Sequence, residues 1–151
     1  MTSFRKGMKI GVLVLVGGLA VSQAIRIDRT NPSARSDISM NAAVKPLLKR
    51  ACYNCHSNET VWPWYSSVAP VSWLLGSDVQ EARRKLNFSE WDTYAEDIRG
   101  YKLRGIAEEM EEGAMPPWYY SMVHRDARLS QDERDAVKSW TATAAEKQTR
   151  E

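Results

Sequence analysis

The only two cysteines of the chain, Cys52 and Cys55, stand three positions apart, and His56, one of two histidines, follows at once. Cys52-Tyr-Asn-Cys55-His56 is the C-x-x-C-H pattern that attaches c-type haem. In that chemistry the thiols form thioethers with the porphyrin vinyl groups and the adjacent imidazole binds the iron. A helix ending here places both thiols on one face, with the imidazole beside them. Two other chemistries use the same residue types. A redox dithiol is one, although no strand precedes the motif and the histidine has no task there. A closed tetrahedral zinc site is the other. Beyond the motif the chain offers only His124 as a further Cys or His, so a carboxylate would have to join.

An iron held by His56 leaves an axial position to be filled from far along the chain. Met110, Met115, Met122 and His124 are the candidates. Met115 lies 59 residues after His56, in Glu111-Glu-Gly-Ala-Met-Pro-Pro-Trp118. Pro116 and Pro117 keep that segment extended, and Gly113 lets the chain leave a preceding helix. A thioether in a rigid loop is what a low-spin His/Met iron needs. Met110 falls on a helical stripe and Met122 is open to the same packing role. His124 would make a bis-His site of lower potential.

Helices must position these groups, since no alternating strand pattern is present. Val44, Leu47, Leu48, Ala51 and Cys55 recur at helical spacing, with Pro46 in the first turn. A second helix opens at Pro70, with Val71, Leu74, Leu75, Val79, Ala82 and Leu86 on one face. A third region spans about 92–112, with Leu103, Ile106, Ala107 and Met110 in a stripe and interruptions expected at Gly100 or Gly105. Ser130-Gln-Asp-Glu133 is a capping box opening a last helix, whose apolar face holds Val137, Trp140 and Ala144. Two irregular stretches, 57–69 and 113–129, are rich in Trp, Tyr and Pro, and a planar cofactor would give that aromatic surface something large to pack on.

The 151 residues suffice for one ordinary domain, and 43% hydrophobic content excludes a disordered chain. Lys and Arg number 21 against 19 Asp and Glu, which excludes a strongly basic nucleic-acid binder. Residues 1–24 hold Arg5, Lys6 and Lys9 and no acid, leaving 18 basic against 19 acidic residues, a net −1, for the rest. Sixteen uncharged residues, Ile10–Ile25, then run to Arg26. A basic start before an apolar run marks export. Cleavage after Ala24 is one outcome. The other is an uncleaved anchor over residues 8–27, where ~24 Å of helix approaches a ~30 Å hydrocarbon core and Lys9 and Arg26 snorkel. Either way, residues 28 onward are expected outside the cytoplasm. The organisation expected is therefore a signal or anchor at 1–27, a polar linker at 28–41, a haem-binding domain at 42–146 and a tail at 147–151.

Lys49-Arg-Ala-Cys-Tyr-Asn-Cys-His-Ser-Asn-Glu-Thr-Val-Trp-Pro-Trp-Tyr65, Val68-Ala-Pro-Val-Ser-Trp73, Asn87-Phe-Ser-Glu-Trp91 and Glu112-Gly-Ala-Met-Pro-Pro-Trp118 together resemble the bacterial haem-binding domain family. This is a small group similar to class I cytochromes c. Leu129-Ser-x-x-Glu-Arg-x-x-Val-x-x-Trp140 resembles its closing helix, and the similarity covers about residues 28–146. It implies an all-α, cytochrome c-like fold of four to five short helices around one covalent haem c, behind a hydrophobic N-terminal segment. Cys52 and Cys55 would hold that haem, with His56 and Met115 as axial ligands to its iron. By analogy with class I cytochromes, the carbonyl of Pro70, or else Pro63, would accept the second His56 N–H. Trp62, Trp64 and Trp118, with Tyr65, Trp73 and Tyr119, would line the haem or donate to its propionates, ordinary aromatic packing being the alternative. Asn58 and Arg104 face the same choice against a solvated surface, and Glu108, Glu109, Glu111 and Glu112 read as a wet helix face.

The function expected is a tethered periplasmic monohaem cytochrome passing single electrons between redox proteins, a membrane respiratory complex among them. No small-molecule substrate is evident. A ligated Met115 closes the iron and argues against an enzyme. The alternatives are a haem sensor or enzyme with a labile Met115, and a structural haem subunit of a membrane complex.

Overall fold

The computed structural model of the chain describes residues 2–148. Among these the chain is all-helical, with no strand: α1 Thr2–Ser22, α2 Val44–Ala51, α3 Tyr53–His56, α4 Val71–Lys85, α5 Glu96–Glu112, α6 Trp118–Val123 and α7 Gln131–Gln148. Short 3₁₀ turns span Trp64–Ser67, Phe88–Thr93 and Arg125–Ala127. The all-α, cytochrome c-like expectation holds, with more helices than the four to five expected. The helix expected to run through both cysteines breaks at Cys52 (φ −123°), and the stretch 113–129 forms α6.

Two further boundaries differ from the sequence pattern. α5 starts at Glu96 and passes through Gly100 and Gly105 without a break. A helical glycine costs only about 1 kcal/mol against alanine, and burial of Leu103, Ile106 and Met110 outweighs it. Residues 88–93 instead wind as a 3₁₀ turn, started by the Asn87 side chain accepting the Ser89 N–H at 3.0 Å.

By its contacts the chain divides into two units, one of residues up to Thr30 with Trp62–Asp78, the other of Asn31–Val61 with Val79 onward. In the first, the apolar side chains of α1 from Ile10 to Val21 are exposed. No helix among the described residues is long and apolar enough to cross a membrane. Beyond α1 the Gln23 amide pairs with both backbone groups of Ala69, donating to its carbonyl at 3.2 Å and accepting its N–H at 3.0 Å. The Trp73 indole donates to the Ile25 carbonyl at 3.1 Å. Ile27 lies so close to Gly76 that a Cβ there would stand 3.0–3.2 Å from it. In this part of α4 the apolar face is not the one read from spacing: Val71 and Leu74 are exposed, while Ser72 and Gly76 are buried. Ile27 needs the small residue, so the buried face follows size.

The second unit holds the core. α5 packs most extensively on α7. Leu103, Ile106 and Met110 meet Val137 and Trp140, and Val44, Leu48 and Ala51 of α2 close the cluster with Phe88 and Trp91. α7 opens with the expected capping box: the Ser130 N–H donates to the Glu133 carboxylate at 2.8 Å, and the Glu133 N–H to the Ser130 hydroxyl at 3.3 Å. The expected linker is not one beyond Thr30. The Asn31 amide donates to the Thr60 carbonyl at 2.9 Å, the Arg35 and Ser36 amides both donate to the Ser89 carbonyl, and Ile38 is only 5% exposed in the core. Polar residues tie this segment down through hydrogen bonds, which hydrophobic patterning does not register.

Candidate functional site

α2 delivers the motif. Ahead of its first turn the Asn41 side chain accepts the Val44 N–H at 2.8 Å, and the buried face of α2 fixes how it lies. The Cys55 and His56 amides both donate to the Cys52 carbonyl, at 3.1 and 2.8 Å, so α3 is a single turn that gathers Cys52, Cys55 and His56. Tyr53 anchors that turn from within. It is buried, stacks on Phe88 with ring centres 4.9 Å apart, and its hydroxyl donates to Asp37. The Ser57 hydroxyl donates to the Tyr53 carbonyl at 2.7 Å and accepts the Glu59 N–H at 3.0 Å, closing the exit.

No disulfide joins the cysteines. Burial, with Cys55 adding to it, pushes the Cys52 thiol up to about 12. A dithiol redox centre needs the opposite, a thiol lowered toward neutral pH to attack as thiolate. Among the described residues no group of three or more His, Cys, Asp or Glu is placed to hold a metal ion.

The imidazole is oriented from its far side. His56 Nδ1 lies 3.2 Å from the Ala82 carbonyl, in the last turn of α4, and 3.1 Å from that of Leu86, just past its end. A carbonyl only accepts, so Nδ1 carries the proton and Nε2 is left as the metal-binding atom. This replaces the acceptor expected from Pro70 or Pro63. The Pro70 carbonyl instead accepts the Trp73 and Leu74 amides. The Leu86 carbonyl lies just past the last turn of α4, where carbonyls have no partner within the helix, whereas the Ala82 carbonyl is shared with the Leu86 N–H at 2.8 Å. Burial holds His56 below its ordinary value, with the two carbonyl bonds opposing. The neutral form that a metal requires is thus favoured.

Met115 reaches its place through the end of α5. Gly113 takes the left-handed conformation (φ +66°), the Ala114 amide returns to the Glu109 carbonyl at 3.2 Å, and Met115 is half-buried against the core that also receives Cys52. One side chain links the two segments. Asn54, between the cysteines, donates to the Tyr120 hydroxyl of α6 at 2.8 Å and accepts the Val61 N–H at 3.1 Å. His124 stacks on Tyr120 at 4.3 Å, and Met110 is buried in the core as its stripe suggests.

The aromatic candidates separate. Trp118 belongs with the motif to the second unit and is 74% exposed. Trp62, Trp64 and Pro70 belong to the first, where Trp64 is 81% exposed and the Trp62 N–H is buried without an acceptor. Asn58 corrects its expectation in another way. It is buried, accepts from Asn87 at 2.9 Å and donates to the Ser33 carbonyl at 3.2 Å, so it serves the scaffold. Asn54, Tyr120 and the Ala82 and Leu86 carbonyls carry no motif. Only the place of Asn54 inside C-x-x-C-H offered a signal.

One oriented neutral imidazole, two adjacent thiols and a thioether packed on the same core form a donor set that fits haem. A family model described as a haem-binding domain matches residues 17–143. No curated protein and no solved structure matches the chain.

Proposed function

Since the chain belongs to the haem-binding domain family, we propose that it is an exported, membrane-tethered monohaem cytochrome c carrying single electrons between redox proteins. Cys52 and Cys55 hold the haem by thioethers, His56 binds the iron through Nε2, and Met115 supplies the sixth ligand. When bound, the haem supplies the one-electron iron couple. The residues supply the rest. The Ala82 and Leu86 carbonyls fix the imidazole plane, and the thioether would keep other ligands off the metal. A closed iron suits a carrier better than an enzyme. The observation that carries this reading is the single turn Cys52–His56 with its imidazole turned so that Nδ1 faces two backbone carbonyls.

Export and attachment to the membrane are supported by the basic start, the uncharged run Ile10–Ile25 and the exposed apolar side chains of α1. Retention of the segment is supported by Gln23, which pairs with Ala69, and by the family match, which begins at residue 17, ahead of the Ala24 cleavage position. Redox proteins at the membrane, a respiratory complex among them, are the partners proposed.

Covalent haem staining on a denaturing gel tests the attachment. Wild-type protein is expected to stain and Cys52→Ala and Cys55→Ala to lose the stain; staining that persists in both refutes it. The oxidised spectrum tests the carrier reading, which expects a methionine-to-iron charge-transfer band. Immediate carbon monoxide binding by the reduced form would point to a sensor or enzyme instead.

A further inference from the structure

Past the end of α4 the backbone that holds His56 is itself held. The Leu86 carbonyl, which accepts from His56, and the Asn87 N–H belong to one peptide group. That N–H donates to the Tyr94 hydroxyl at 2.9 Å. The preceding peptide group is bonded at both ends as well. Its Leu86 N–H donates to the Ala82 carbonyl at 2.8 Å, and its Lys85 carbonyl accepts from the Lys102 ammonium at 2.5 Å. The Lys102 ammonium also stands 4.3 Å above the Tyr94 ring, so one cation ties both supports together. Tyr94 is fixed in turn, its carbonyl accepting from Arg99 at 2.9 Å and its ring edge-on to Trp91 at 5.9 Å.

We propose that Tyr94 and Lys102 are positioning residues for His56. They lock two successive peptide planes so that the Leu86 and Ala82 carbonyls meet Nδ1–H in one fixed orientation. The inference rests on His56 binding the haem iron. A peptide whose N–H is engaged offers a more polarised carbonyl, so the Tyr94 hydroxyl strengthens the bond to His56. A stronger bond gives the imidazole more anionic character and favours the oxidised iron. Burial holds Lys102 below its ordinary value.

Tyr94→Phe tests the idea without changing any charge. In the reduced holoprotein the His56 Nδ1 proton is expected to exchange with solvent about tenfold faster, the loss of one hydrogen bond's restraint, and the reduction potential to move upward. Lys102→Met is expected to speed the same exchange, and Lys102→Arg to return it to the wild-type rate. Wild-type exchange and potential in both Tyr94→Phe and Lys102→Met, with haem still attached and low-spin, overturn the inference and leave the carrier reading standing. Lower thermal stability with neither readout moved overturns it equally, since that is a structural role alone. A wild-type protein holding no covalent haem overturns both.

Discussion

Where His56 meets the end of α4, the imidazole N–H and the surrounding backbone amides find acceptors within the chain. Where α6 follows Met115, Trp118, Met122 and Val123 turn apolar surface outward, and Met115 itself is only half-buried. Hydrogen bonds have direction and hold a ring in one orientation. Apolar contact has none and tolerates sliding. The His56 side thus specifies geometry, and the Met115 side has the freedom to trade one contact for another.

The largest effect should come from the looser side. Met115→Ala is expected to convert the iron to high spin, lower its potential and open it to carbon monoxide, read by absorption spectra and redox titration. If His124→Ala does this and Met115→Ala does not, the wrong segment has been taken as the second side. Next is Gly113, whose left-handed conformation carries the chain out of α5 toward Met115. A Cβ there would lie 2.3 Å from the Arg134 guanidinium. Gly113→Ala is therefore expected to cost about 1–2 kcal/mol in denaturant unfolding, and an unchanged midpoint would mean the turn relaxes freely. Tyr120→Phe removes the bond from Asn54 that joins the two sides, at about 1 kcal/mol. Faster appearance of high-spin iron on mild heating would locate that loss at Met115; unchanged ligation would show that the two sides hold independently.

The smallest effect lies at the foot of α7. The Ser130 N–H, and then Arg50, hold the Glu133 carboxyl below its ordinary value. In acid the unfolded chain then binds more protons at this position than the folded one, so stability rises with pH. The contribution is present above about pH 4.5 and is lost as pH falls through the depressed value. Glu133→Gln should flatten that part of the acid unfolding curve, and an identical curve would show the capping box adds nothing measurable.

Sequence alone made legible what side chains announce. The capping box at Ser130, the turn at Gly113 and the stripe Leu103–Ile106–Met110 were all readable, and so was the closeness of Cys52, Cys55 and His56 along one turn. What it hid lay in the backbone. The carbonyls of Ala82 and Leu86 belong to residues whose side chains suggest only packing, and a proline was the natural guess. The break at Cys52 and the continuity of α5 were decided by tertiary burial over local preference. Ile38 and its polar neighbours were misread because scattered hydrogen bonds leave no period to find.

Gln23 sets an order of events. Its amide clasps Ala69, and residues 23–25 are wound in turns, with the Ala24 amide on the Val21 carbonyl at 3.0 Å and that of Ile25 on Ser22 at 3.2 Å. Under the export reading proposed above, a peptidase would need residues around Ala24 extended, and the clasp holds them in turns. Folding and trimming would then compete in time, and a chain that folded first would keep its N-terminal segment.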